Sequence, residues 1–298
     1  MQIERYLTFV YHRLKDYIEK GGDIRKLKGV SFQGVDHIDY DDKQVQELYI
    51  LRYVYSYAFE YKMMFSEILR RFEGAEELNI LSLGCGPLPD YWGLGAAYAE
   101  DYNGIDRDNI QYTGVDLIDW NYKDFSSIKI ARSFVQMDFI EYLKNNDISD
   151  VNVVFFPKSI CEIPMEKMDQ LCSALSDGLK KNKIALGVSM RNAYDVDRIQ
   201  MIADAMAKKG YISSEIINNK DYSITDEEGN ITDYQPIQRL DNDFNYPPFI
   251  LNYLKTLSDK VTDPTDGEAE ELKGLNRNPI TKTKYIQYEI VIFERVQA

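Results

Sequence analysis

Read for hydrophobic period alone, the chain changes character near residue 78. Before that point the rhythm is helical. Tyr6, Phe9, Val10, Leu14, Tyr17 and Ile18 recur at helical spacing, so residues 1–20 are expected to form an amphipathic helix that ends at Gly21 and Gly22. A longer periodic stretch, QVQELYILRYVYSYAFEYKMMFSEILRRF, predicts a second helix over residues 44–72, led in by the acidic DYDD. Tyr53, Tyr57 and Tyr61 stand four apart and share a face of it. Such a stripe either packs or, because a buried phenol seeks a partner, walls a polar pocket.

From Leu78 onward the period shortens. The apolar runs NILSLG, YTGVDLI, SFVQMDF, VNVVFFP and KIALGVSM alternate with the helical stretches YWGLGAAYAEDY, WNYKDFSSIKIA, IEYLKNN, MEKMDQLCSALSDGLKK and DVDRIQMIADAMAKKG. Strands alternating with helices predict an α/β fold with a doubly wound, mostly parallel sheet covered on both faces. YISSEIINN and KYIQYEIVIFERV supply a sixth and a seventh strand. The expected organisation is an N-terminal helical cap over residues 1–77 and a Rossmann-like domain over residues 78–298. An insertion at about 220–283 interrupts that domain; it is expected to carry a helix in PFILNYLKTLSDK and to close over the site, since so long a structureless loop is unusual in a compact domain.

Charge narrows the function. The net charge is -14 with a pI near 4.7, and no basic stripe is visible, which argues against a nucleic acid held by its phosphates and favours a small-molecule substrate. No run of roughly 18 apolar residues is present to span a bilayer, so no membrane partner is expected. The opening MQIERYLTFVYHRLKDY is charged throughout, unlike a secretory signal. Cys85, Cys161 and Cys172 lack paired spacing, and His12 and His37 are the only histidines. A cytoplasmic setting is therefore expected, without a zinc site or a histidine-based triad.

The candidate chemistry starts at the corner Gly84-Cys85-Gly86-Pro87, between the first strand and first helix of the sheet. A phosphate loop would need a lysine that is missing here, and a dinucleotide corner would place a third glycine where Asp90 stands. A carboxylate there would repel a pyrophosphate but not a cationic ligand. The second strand ends at Asp116, placed to accept from both hydroxyls of a ribose. The third ends in VQMDF, where Asp138 can accept from an adenine amine beside Phe139. The fourth stops at Pro157, with Lys158, Ser159 and Glu162 at the mouth of the same crevice. Cys85, with no histidine near it in sequence, reads as a small packing residue rather than a nucleophile. NYPPF, Asn245 to Phe249, reads as a turn.

This ordered set resembles the class I S-adenosylmethionine-dependent methyltransferases over about Asn79 to Met190, with a family-like tail to Val296. The resemblance implies a seven-stranded sheet whose last strand is reversed, and S-adenosylmethionine as cofactor. It implies that Gly84, Cys85, Gly86 and Pro87 contact the amino-acid part of the cofactor. Asp116, with Leu117 beside it, would hold the ribose, and Asp138 with Phe139 the adenine. Pro157, Lys158 and Ser159 would face the methyl group and acceptor. From the residues themselves, Glu162 is a candidate catalytic base or else an acid that leads the helix beginning near Pro164, and Tyr61 is a candidate catalytic group on the tyrosine face. Two positions depart from the pattern: Ser82 stands for the usual first-strand acid and Leu88 for the usual third glycine. GCGPLP and YVYSYAFEY also resemble nicotianamine synthase-like enzymes, which implies the alternative of aminobutyrate transfer from the same cofactor. A third reading is a non-catalytic binding protein on this fold.

Overall fold

Helix α1 (Ile3–Glu19) forms where the period predicts, burying Ile3, Tyr6, Leu7, Val10 and Leu14 at three- and four-residue spacings. Gly21 closes it at φ +82°, and a side chain at Gly22 would strike the Tyr17 ring. The computed structural model describes residues 3–27, 39–101, 104–191, 195–218, 223–225, 231–234, 244–261, 273–276, 278–281 and 287–296. The chain divides into two compact units. The first comprises Met1–Phe59, Asp119–Ser127 and Ile237–Thr283; the second comprises Glu60–Ile118, Ile128–Pro236 and Lys284–Ala298.

In the first unit, α2 (Lys43–Tyr49) is capped by Asp42, whose carboxylate accepts from the amides of Gln44 and Val45 at 2.8 and 3.2 Å. The helix expected over 44–72 is continuous but not uniform. A π-helical segment, Ile50–Val54, separates α2 from α3 (Tyr55–Arg71). Its wider turn matches what neighbouring chain segments need: the Tyr246 hydroxyl donates to the Leu51 carbonyl at 2.9 Å, and the Ile280 amide to the Arg52 carbonyl at 3.0 Å. The buried Arg52 guanidinium in turn donates to the Leu275 carbonyl at 2.9 Å.

The helix expected in WNYKDFSSIKIA does not form; Trp120 to Ser127 are turns and irregular chain. The backbone groups a helix would use are taken by Gln46. Its Oε1 accepts from the amide and Nδ2 of Asn121, both at 2.9 Å, and its Nε2 donates to the Asp119 carbonyl at 3.1 Å. Asn245 to Pro247 of NYPPF are irregular chain, and Pro248 opens the short helix α8 (Pro248–Leu254). That helix is shorter than PFILNYLKTLSDK suggested; Ser258–Lys260 form a separate 3₁₀ turn.

The second unit is built on β1 (Leu78–Leu83), β2 (Ile110–Asp116), β3 (Ala131–Gln136), β4 (Val153–Pro157), β5 (Lys183–Ser189), β6 (Tyr211–Asn218) and β9 (Tyr288–Arg295); β7 (Ser223–Thr225) and β8 (Ile231–Tyr234) make a separate hairpin. The sheet order is β3-β2-β1-β4-β5-β9-β6, with β9 antiparallel to both its neighbours. This is the doubly wound, mostly parallel seven-stranded sheet with a reversed last strand that was expected. Between the strands lie α4 (Pro89–Asp101), α5 (Phe139–Asn145), α6 (Met165–Gly178) and α7 (Asp195–Lys208).

Side-chain alternation along β4 separates the two layers. Val154 and Phe156 enter a core with Leu171 and Leu175 of α6 and Ile199 and Ile202 of α7. Phe155 faces the other way and stacks on Phe65 of α3, ring centroids 4.6 Å apart. The chain order reverses between β1 and β4, so their carboxyl-terminal tips open a crevice of the kind that holds ligands in such sheets. Among the described residues, no helix is long and apolar enough to cross a membrane. Much of the expected closing segment, 220–283, lies outside the described residues.

Candidate functional site

The corner after β1 runs through three left-handed residues: Gly84 at φ +73°, Gly86 at +54° and Leu88 at +64°. Only glycine fits at Gly84, for a second reason: a Cβ there would stand 2.5 Å from the Cβ of Ser159. The tip of β4 is therefore pressed against the tip of β1, and Ser159, buried, donates its hydroxyl to the Leu83 carbonyl at 2.5 Å. The amides of Gly84 and Cys85 donate to the Val115 carbonyl at 2.8 and 3.2 Å. Cys85 is buried, its sulfur against the space left by Gly114, and burial pushes its thiol pKa well up. It is placed as a packing residue.

Asp116 ties the corner to β2. Its Oδ2 accepts from the Gly86 amide at 2.7 Å and its Oδ1 from the Ile118 amide at 2.9 Å. On the next strand, Asp138 caps α5, accepting at Oδ1 from the amides of Ile140 and Glu141 at 2.9 and 3.1 Å. Phe139 turns its ring edge-on to Phe156 at 6.3 Å, toward the core. Two apolar side chains beside these acids are exposed: Leu117 at 66% and Met137 at 37%. They follow adjacent strand tips, since the Met137 amide donates to the Asp116 carbonyl at 2.9 Å. Leu117 was expected at the site. Met137 was missed, although an apolar residue wedged between a strand end and a helix-capping acid is a readable signal.

At the tip of β4, Lys158 takes φ +60°, rare for a side chain with a Cβ, and points inward. Its Nζ lies 3.0 Å from both carboxylate oxygens of Glu60 on α3 and 3.4 Å from the Met190 carbonyl. Ser189, at the end of β5, donates its hydroxyl to the same carboxylate. Glu60 and Ser189 are buried. This network of Glu60, Lys158 and Ser189 was not foreseen, because its members lie far apart in sequence. The one hint was an acidic residue inside the apolar stretch YAFEYKMMF.

The two candidate catalytic groups are differently placed. Tyr61 is fully buried, its ring meeting Phe155 edge-on at 5.5 Å, a packing position. Glu162 pairs with Arg191 at 3.0 Å. Its side chain stays 58% exposed, yet enough protein surrounds the carboxyl to push its pKa up; Arg191 opposes that shift and Asp116 reinforces it.

Beneath the corner, Asp90 in the first turn of α4 does not face a ligand. It is fully buried and accepts from the Tyr112 hydroxyl at 2.7 Å. Burial raises its pKa from 3.8 to about 6, while the Ser82 and Tyr112 hydroxyls and the first amides of α4 pull it down. Because the folded value is the higher one, the native state holds this proton more tightly than the unfolded chain. The resulting stabilisation is complete below about pH 3.8 and is lost as pH rises through about 6. Asp90→Asn keeps an acceptor for Tyr112 and removes the titration. Relative to the unmodified protein it is expected to gain about 2–3 kcal/mol between pH 4 and 7.5. Urea unfolding at the two pH values checks this; an identical difference at both would refute it.

A scan against protein-family models found no match, and a search of curated proteins found none. Among solved structures, the chain is similar to an S-adenosylmethionine-dependent methyltransferase from Archaeoglobus fulgidus, at 16% identity over 78% of this chain and 94% of that one, TM-score 0.40. It is similar to magnesium protoporphyrin IX methyltransferase from Synechocystis with bound S-adenosylmethionine, at 10% identity over 96% and 97% of the two chains, TM-score 0.41. A third is a 1,6-didemethyltoxoflavin-N1-methyltransferase from Burkholderia thailandensis, at 7% identity over 80% and 79%, TM-score 0.41. These likenesses are too distant to assign a function.

Proposed function

We propose that the chain binds S-adenosylmethionine across the carboxyl-terminal tips of β1 to β4 and transfers its methyl group to a small-molecule acceptor. The observation that carries this reading is the pairing, on adjacent strand tips, of two carboxylates with two exposed apolar side chains: Asp116 with Leu117, and Met137 with Asp138. Carboxylates suit ribose hydroxyls and an adenine amine, and a solvent-facing Leu and Met suit the flat faces of the base.

The corner residues Gly84, Cys85, Gly86 and Pro87 shape the place for the amino-acid part, held by Asp116. Pro157, Lys158 and Ser159 act from behind: Ser159 fixes the tip of β4 against β1, and Lys158 is anchored by Glu60. Tyr61 serves by packing α3 on β4. When bound, the cofactor supplies an electrophilic methyl carbon. The protein's task is then to align the acceptor in line with it and exclude water. Glu162 is our candidate to take a proton from an acceptor that must lose one; burial raises its pKa, which favours a carboxylate in the role of base.

Calorimetry with S-adenosylmethionine tests the reading, followed by product analysis. Release of S-adenosylhomocysteine supports methyl transfer, and release of methylthioadenosine would instead show aminobutyrate transfer. Absence of binding, with Asp116→Ala indistinguishable from the unmodified chain, would overturn it.

A further inference from the structure

The first unit carries a shallow, largely open concavity of about 440 Å³. Three aromatic rings line it. Phe9 stacks on Phe125 with centroids 5.0 Å apart and meets Tyr122 edge-on at 5.8 Å. Two cations line it as well. The Arg13 guanidinium lies 5.1 Å from the centre of the Phe9 ring, and the Lys43 ammonium 5.7 Å from that of Tyr122. Among the described residues neither is in a salt bridge, and both act on the buried Glu47 carboxylate behind the wall, lowering its pKa against the rise that burial causes.

The wall is held in place rather than loose. The Tyr122 hydroxyl donates to the buried Glu47 carboxylate, and Asn121, at the rim, is clamped by Gln46. The irregular path of residues 119–127, where a helix was expected, is what brings Asn121, Tyr122, Asp124 and Phe125 to one side of α1 and α2. We propose that this concavity binds a planar aromatic molecule bearing a carboxylate, its ring against Phe9, Tyr122 and Phe125 and its anion between Arg13 and Lys43. Flat rings gain most from such a lining, and a carboxylate has the geometry that Arg13 can grip with two donors. This site belongs to the first unit alone and does not depend on the cofactor reading.

The probe is 2-naphthoate, followed by its own fluorescence on titration with the full chain, beside 2-naphthylmethanol, which lacks the charge, and inorganic phosphate, which lacks the ring. Naphthoate is expected to bind, the alcohol to bind more weakly, and phosphate not to compete. Arg13→Gln and Lys43→Gln, both at exposed positions, are each expected to weaken naphthoate about fivefold, as solvent-accessible charge pairs do. Phe125→Leu, which keeps an apolar side chain, is expected to weaken naphthoate and the alcohol alike. No binding of naphthoate to the unmodified chain would overturn the proposal. So would equal affinity for naphthoate in the Arg13→Gln/Lys43→Gln double variant, or displacement of naphthoate by phosphate.

Discussion

Glu60→Met is expected to destabilise the protein by about 3–5 kcal/mol, the cost of leaving a buried charge without its partner. The substitution roughly conserves volume, so a cavity does not account for the loss. What remains is the Lys158 ammonium, mostly enclosed and without its carboxylate partner, and a buried Ser189 hydroxyl without its acceptor. Lys158→Met should cost a similar amount for the mirror-image reason. The double variant Glu60→Met/Lys158→Met should recover most of the loss, because a buried pair replaced by apolar groups of like size is often near neutral. Urea unfolding of the four proteins measures the coupling. Simple additivity of the two single losses would mean that the pair does not act as a unit.

Asp116→Ala is expected to weaken S-adenosylmethionine by tenfold or more, because hydrogen bonds to a charged group are worth roughly 1.5–3 kcal/mol each. The same change should lower stability, since the amides of Gly86 and Ile118 lose their acceptor and the corner keeps only its backbone ties to Val115 of β2. Asp138→Ala should act on affinity in the same direction but less, because Leu117 and Met137 still offer apolar contact to the base. Its main cost is the N-cap of α5, about 1 kcal/mol. Calorimetry beside thermal melts separates the two effects. Equal affinity in the unmodified protein and both variants would remove Asp116 and Asp138 from the cofactor site.

Much of the scaffold is legible without coordinates. Six of the strands in the sheet are built from runs in which most side chains are apolar, and the helices that follow β1, β3, β4 and β5 carry their own periodic stripes. Local period suffices where a segment is buried on one or both faces, because burial then follows spacing along the chain. The left-handed turns at Gly84 and Gly86 and the capping role of Asp138 are equally local: they follow from residue type and its nearest neighbours.

The failures share the opposite cause. WNYKDFSSIKIA has helical spacing, yet Gln46, more than seventy positions away, takes its backbone groups. Tyr61 carries the sequence pattern of a pocket wall, but Phe155 across the layer makes it core. Asp90 suggested the sign of a ligand's charge from its place in a motif, and the fold turned it inward to Tyr112.

The order of strands and helices along the chain, the glycine corner and the residues that terminate each strand can be read from local pattern, because these depend on chemistry within a few positions. Which of those residues share surroundings came from the packed fold. It pressed Ser159 against Gly84, drew Glu60 to Lys158 across ninety-eight positions, and set Leu117 and Met137 side by side in solvent. The physical reason is that desolvation and pairing energies belong to neighbours in space, and closing the long loops between them costs only logarithmically more as the separation in sequence grows.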